Sequence, residues 1–192
     1  MNVINQVHTD QYSIYHADTV DVARGLPDNS VGFSVFSPPF ESLYTYSNSD
    51  RDMGNCSDSE TFWQQYEYLI SEQFRVMMPG RLVAIHVMNL PTSKMHDGFI
   101  GIRDFRGQMI KAYQDAGFIY HSEVCIWKDP VVAQQRTKSI RLLHKQIVKD
   151  STISGQGLAD YILTFRKPGD NSEPVAGCFD RYIGTDEPDR SK

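Results

Sequence analysis

Leu82-Val83-Ala84-Ile85-His86-Val87-Met88 is an apolar run broken by a single polar side chain. A run with no two-residue period has no face to give to water, so it predicts a strand covered on both sides, as in parallel sheets packed between helices. The segments around it fit that environment. Before it, Ser57-Asp58-Ser59-Glu60 has capping-box spacing, and Phe62, Tyr66, Leu69, Ile70, Phe74 and Met77 recur at helical intervals until Pro79-Gly80. After it, Phe105, Met109, Ile110 and Tyr113 mark one face of a helix that stops at Gly117.

Further strands are expected at Ser13–Ala17, Val31–Phe36, Phe118–Trp127 and Asp160–Arg166, with a short helix at Val20–Leu26. Strands alternating with crossover helices define an α/β doubly wound sheet, in which ligands sit at the carboxyl ends of the strands. Two such ends stand out: His16-Ala17-Asp18 and Ser37-Pro38-Pro39-Phe40.

Composition narrows the function. A chain of 192 residues can bury a single-domain core, and no apolar stretch reaches the length of a membrane span. Met1 to Asp10 has neither a basic nor an apolar leader region, so a cytoplasmic protein with no membrane partner is expected. Cys56, Cys125 and Cys178 form no CxxC pair, and the six histidines form no ligand motif, so neither a disulfide scaffold nor a metal site is expected. The net charge of −5 conceals a gradient: from Lys128 to Lys149 six basic residues face the single acid Asp129, which leaves −10 for the rest. A basic segment on an acidic body suits an enzyme that meets nucleic acid along one edge, and equally a solvated surface.

The tetrad Ser37-Pro38-Pro39-Phe40, directly after a buried strand, is the most informative feature. Two prolines fix the backbone and remove two N–H donors, so the loop offers carbonyl acceptors at a defined place beside an aromatic face. Such an arrangement suits a flat ring with an exocyclic amino group: the acceptors orient the NH₂ while the aromatic stacks on the ring. The same residues also suit a rigid turn with Phe40 packed into the core.

The tetrad resembles the (D/N/S)PP(Y/F/W) motif of the DNA amino-methyltransferases, which methylate adenine N6 or cytosine N4 with S-adenosylmethionine. The resemblance covers nearly the whole chain and is closest to phage and prophage members with the tetrad placed early. It includes Tyr15-His16-Ala17-Asp18, Leu26-Pro27-Asp28-Asn29-Ser30-Val31 and Arg75-Val76-Met77-Met78-Pro79-Gly80-Arg81-Leu82, the last similar to the family's RVLKPGG segment. It implies a Rossmann-like doubly wound mixed sheet of the S-adenosylmethionine-dependent methyltransferase type. Ser37, Pro38, Pro39 and Phe40 would then be catalytic: Ser37 and the Pro38 carbonyl would accept from the target amino group, and Phe40 would stack on the flipped base. Asp18, with Ala17 and Ser37, would bind the cofactor, although an Asp at a strand end also serves as a helix N-cap. Double-stranded DNA is the implied partner, with Lys128, Arg136, Lys138, Arg141 and Lys145 as backbone contacts. Ser at position 37 tilts the target toward cytosine N4. The Pro-Cys dipeptide of ring-carbon methyltransferases is absent, because Asn55, Val124 and Gly177 precede the cysteines.

The resemblance divides the chain into residues 1–127, carrying the catalytic motif, 128–158, the basic DNA-contact segment, and 159–192, the last strand and a polar tail. The stretch Glu41 to Gly54, rich in Tyr and Ser, is expected as a loop that closes over the base, or as an ordinary surface loop. The family's glycine-rich DPFxGxG cofactor motif is missing, and Arg190-Ser191-Lys192 falls about where the last third of a member would begin. An incomplete fold is therefore expected, with an exposed sheet edge and self-association as a homodimer among its consequences. A bacterial or phage-encoded modification enzyme of the host cytoplasm is the leading expectation, and a non-catalytic DNA-binding remnant the alternative.

Overall fold

The computed structural model describes residues 3–41, 44–49, 51–92, 94–99, 101–129 and 158–172. In chain order these form β1 (Val3–His8), β2 (Ser13–Ala17), α1 (Thr19–Arg24), β3 (Val31–Phe36), α2 (Ser59–Val76), β4 (Met77–Met88), β5 (Leu90–Thr92), α3 (Lys94–Asp97), β6 (Gly101–Arg103), α4 (Phe105–Asp115), β7 (Ile119–Ile126) and β8 (Asp160–Arg166). The fold is the Rossmann-like mixed α/β arrangement expected from the sequence.

Its main sheet runs β3-β4-β8-β7. β3 and β4 are parallel, with Phe36 opposite Ile85, whereas β8 is antiparallel to both β4 and β7, with Asp160 opposite Met88 on one side and Ile126 on the other. An antiparallel neighbour starts where its partner ends. The carboxyl ends of β3, β4 and β7 and the amino end of β8 therefore converge on one rim.

Helices α2 and α4 cover one face of this sheet. Phe62, Tyr66, Leu69 and Ile70 of α2 and Phe105, Met109 and Tyr113 of α4 pack with Val83, Ile85 and Val87 of β4 and Leu163 and Phe165 of β8, all buried. Tyr113 stacks on Phe165 with ring centroids 4.5 Å apart, and Phe62 stacks on Tyr66 at 5.6 Å. β4 is buried on its other face as well, through Ala84 and Met88, as its apolar run predicts. Among the described residues β3 pairs on one side only, and its Phe33 and Val35 are 58% and 69% exposed. No helix among the described residues is long and apolar enough to cross a membrane.

Three local expectations change. The cap of α2 is Asp58, not Ser57: its side chain accepts from the Thr61 amide at 2.7 Å, while the Ser57 hydroxyl donates to Asp58 itself. A carboxylate is the stronger acceptor for a helix N-terminus, so it takes the position one residue later. Pro79-Gly80 does not end α2. The helix stops at Val76, and β4 starts at once and bulges, since Val31 faces Met77 but Phe33 already faces Leu82. Gly80 carries a φ of +73° in that bulge, and a Cβ there would sit 2.7 Å from the Asn171 amide, so only glycine fits. Finally, the antiparallel hairpin β1–β2 and the small β5–β6 pair were not anticipated.

Candidate active site

The rim where β3 and β4 end carries the tetrad. β3 leaves the sheet at Phe36, and the rigid Pro38-Pro39 step buries Pro38 while Ser37 stays exposed. Phe40 is half-buried, its ring centroid 6.0 Å from Phe105 in an edge-on contact and 5.9 Å from His86. The tetrad is thus both a rigid turn and a partly open aromatic face. The next residue, Glu41, turns the chain with a φ of +48°, a left-handed conformation seldom adopted by a side-chain-bearing residue. Burial and its partners hold it there: Glu41 is 4% exposed, accepts from the Ser59 hydroxyl at 2.8 Å, and pairs with Arg103, which also pairs with Asp97.

Asp18 caps α1, its Oδ1 accepting from the Asp21 amide at 3.0 Å. The carboxylate does not serve the helix alone. Arg51, from the loop after the tetrad, places Nε 3.3 Å from Asp18 Oδ2 and donates to both carboxylate oxygens of Asp21 at 2.8 and 3.1 Å. The hydrogen bond from Arg51 holds the Asp21 carboxyl below its usual range. Ala17, Asp18, Ser37, Pro38 and Arg51 all line one cleft of about 840 Å³, which runs from α1 to the end of β3. Tyr44 and Tyr46 of the same loop are exposed and meet edge-on at 6.4 Å.

The sequence did not single out His86 or Asp160, yet His86 stands beside Ser37 and Asp160 beside His86. Ser37 Oγ lies 3.1 Å from His86 Nδ1 and 3.3 Å from the His86 carbonyl oxygen, and His86 Nε2 lies 3.0 Å from Asp160 Oδ2. Lys128 Nζ sits 2.5 Å from Asp160 Oδ1 as an ion pair, without the angle of a directed hydrogen bond, and 4.0 Å from Met88 Sδ. The signal in the sequence was His86 itself. A lone polar side chain inside a central apolar strand must find a partner, and the partner lies outside its own segment.

Of the residues expected to contact DNA, Lys128 is thus placed against Asp160. Arg136, Lys138, Arg141 and Lys145, with most of the segment 128–158, lie outside the described residues. No group of three or more metal-ligating side chains occurs among the described residues.

No protein-family model and no curated protein matches the chain. Solved structures do. A Thermus thermophilus protein described as a putative DNA modification methylase, complexed with S-adenosyl-L-methionine, superposes with a TM-score of 0.57 at 22% identity over 82% of this chain and 56% of that one. The cytosine-N4-specific PvuII DNA methyltransferase superposes with a TM-score of 0.54 at 13% identity over 83% of this chain and 51% of that one. The chain therefore shares their fold and spans about half their length.

Proposed function

We propose that the chain is the catalytic-motif part of an S-adenosylmethionine-dependent DNA amino-methyltransferase, which methylates the exocyclic amino group of a flipped base in double-stranded DNA, with cytosine N4 ahead of adenine N6. One observation carries the reading: Ser37, Pro38 and Phe40 stand at the end of β3, on the same rim as a cleft that holds Asp18. Two solved structures that share the fold are named as a putative DNA modification methylase and a cytosine-N4-specific DNA methyltransferase.

The cleft suits the cofactor. Its volume of about 840 Å³ is that of a small-molecule site, and Asp18 offers a carboxylate acceptor at one end while Ser37 stands at the other. When bound, S-adenosylmethionine supplies a sulfonium methyl group as the electrophile. The protein's own contribution is positional: Ser37 Oγ and the Pro38 carbonyl accept from the target NH₂, the prolines hold those acceptors still, and Phe40 gives the extruded ring a face to stack on. Arg136, Lys138, Arg141 and Lys145 serve as backbone contacts in this reading. A modification enzyme of bacterial or phage origin, working in the host cytoplasm and self-associating as a homodimer, is the setting it implies.

The test is mass spectrometry of nucleosides from unmethylated DNA incubated with the chain and S-adenosylmethionine, beside a variant with the whole tetrad replaced by alanine. Methylated cytosine or adenine, lost in the variant, supports the reading. DNA binding without product or cofactor binding supports instead the second reading, a non-catalytic DNA-binding remnant.

A further inference from the structure

We propose that His86, held by Asp160, takes up the proton released by the methyl-transfer reaction, working through Ser37. The inference rests on the functional reading above and assigns to it a positioning pair outside the tetrad.

The argument starts from donors and acceptors. An ionised carboxylate can only accept, so the 3.0 Å contact of Asp160 Oδ2 with His86 Nε2 places a hydrogen on Nε2. In the neutral imidazole Nδ1 is then a bare acceptor, and it lies 3.1 Å from Ser37 Oγ. The serine proton has two inward acceptors, Nδ1 and the His86 carbonyl oxygen at 3.3 Å. Both draw it away from the exposed side, leaving the Oγ lone pairs for a donor in the cleft. That is the orientation an amino-group acceptor requires.

The groups facing His86 are Ser37 and Phe40 from the end of β3, Asp160 from β8 and, through Asp160, Lys128 from the end of β7. Lys128 sets its ammonium against the far oxygen of that carboxylate. Asp160 is 11% exposed at its side chain and His86 33%, so the pair is sheltered while the imidazole still reaches water.

The proton balance follows. As the carbon–nitrogen bond forms and the carbon–sulfur bond breaks, the positive charge moves from sulfur to the exocyclic nitrogen, which now carries one proton too many. That proton passes to Ser37 Oγ while the serine's own proton passes to His86 Nδ1. The resulting imidazolium stands beside the Asp160 carboxylate and returns its proton to water. No further reactant is needed.

The experiment measures methyl transfer to unmethylated DNA by the full chain and by His86→Asn and Asp160→Asn, across pH. His86→Asn retains a hydrogen-bonding group near the Nδ1 position but cannot take a proton. Its kcat is expected to fall about 10²-fold, with KM for DNA unchanged. The wild-type kcat is expected to fall on the acid side, where His86 is already protonated, and His86→Asn to lose that limb. Asp160→Asn should lower kcat as well, because the imidazolium loses the carboxylate that faces it. A kcat for His86→Asn equal to wild type, or a loss with the wild-type pH profile retained, overturns the inference. Should His86→Asn fail to fold, Asp160→Asn decides, an unchanged kcat counting against it. In the wild-type protein ¹⁵N shifts must also show Nε2 protonated and Nδ1 free at neutral pH; the opposite tautomer overturns the inference without any turnover. Wild-type protein that yields no product overturns the functional reading and this inference together, whereas product with a full-speed His86→Asn overturns this inference alone.

Discussion

Arg51 and Asp21 form a two-pronged ion pair, at 2.8 and 3.1 Å, that ties the loop after the tetrad to the first turn of α1. The same guanidinium reaches Asp18 Oδ2 at 3.3 Å, so it occupies a carboxylate oxygen that the proposed cofactor would use, and adds positive charge to the cleft proposed for its sulfonium group. Arg51→Met should therefore bind S-adenosylmethionine more tightly, by about two- to fivefold, the range of an exposed ion pair. Titration calorimetry reads it directly, and weaker binding would mean that Arg51 belongs to the binding site.

The Asp21 contact also sets a pH dependence. Its carboxyl titrates below the unfolded value, chiefly because Arg51 donates to it, so the contribution is complete above the usual Asp range and is lost as pH falls through the lowered value. Stability in urea should fall with acid over that window, and Arg51→Met should flatten that part of the curve.

Asp58 caps α2, and the Thr61 amide that donates to it holds its carboxyl low. Asp58→Ala should lower the melting temperature by about 2–4 °C, and Asp58→Asn by less, since asparagine keeps the acceptor. Ser57→Ala, at the position favoured by capping-box spacing, should change it least. Thermal unfolding of the three variants ranks them.

Inside the core, the Tyr113 hydroxyl donates to Gln73 Oε1 and lies 3.4 Å from the Tyr66 hydroxyl, and burial pushes both phenols well above their ordinary range. Tyr113→Phe keeps the ring stacked on Phe165 but leaves Gln73 without its donor. It should cost about 1–3 kcal/mol in chemical denaturation, with the slope unchanged.

Much of this molecule could be read locally. β2, β3 and β8 lie at the expected residues, and β4, β7 and α4 within a few positions, because each has a clear period, an apolar run or a stop. β1, β5 and β6 escaped notice. β1 is largely exposed, and the other two span three residues each, too few for a period to show. Arg51 was missed as well, since nothing in a polar loop announces which acid across a cleft it will meet.

The sequence by itself determined the alternation of strands and helices, the buried central strand and the rigid tetrad at the end of β3, because these depend on side-chain periodicity and proline geometry within a few residues. Which strand lies beside β4, and in which direction, depends on contacts between distant segments. Only the tertiary structure, by laying β8 antiparallel between β4 and β7, brings Asp160 and Lys128 to the His86 and Ser37 rim. A lone histidine in an apolar run needs a polar partner, and the strand pairing decided which one it found.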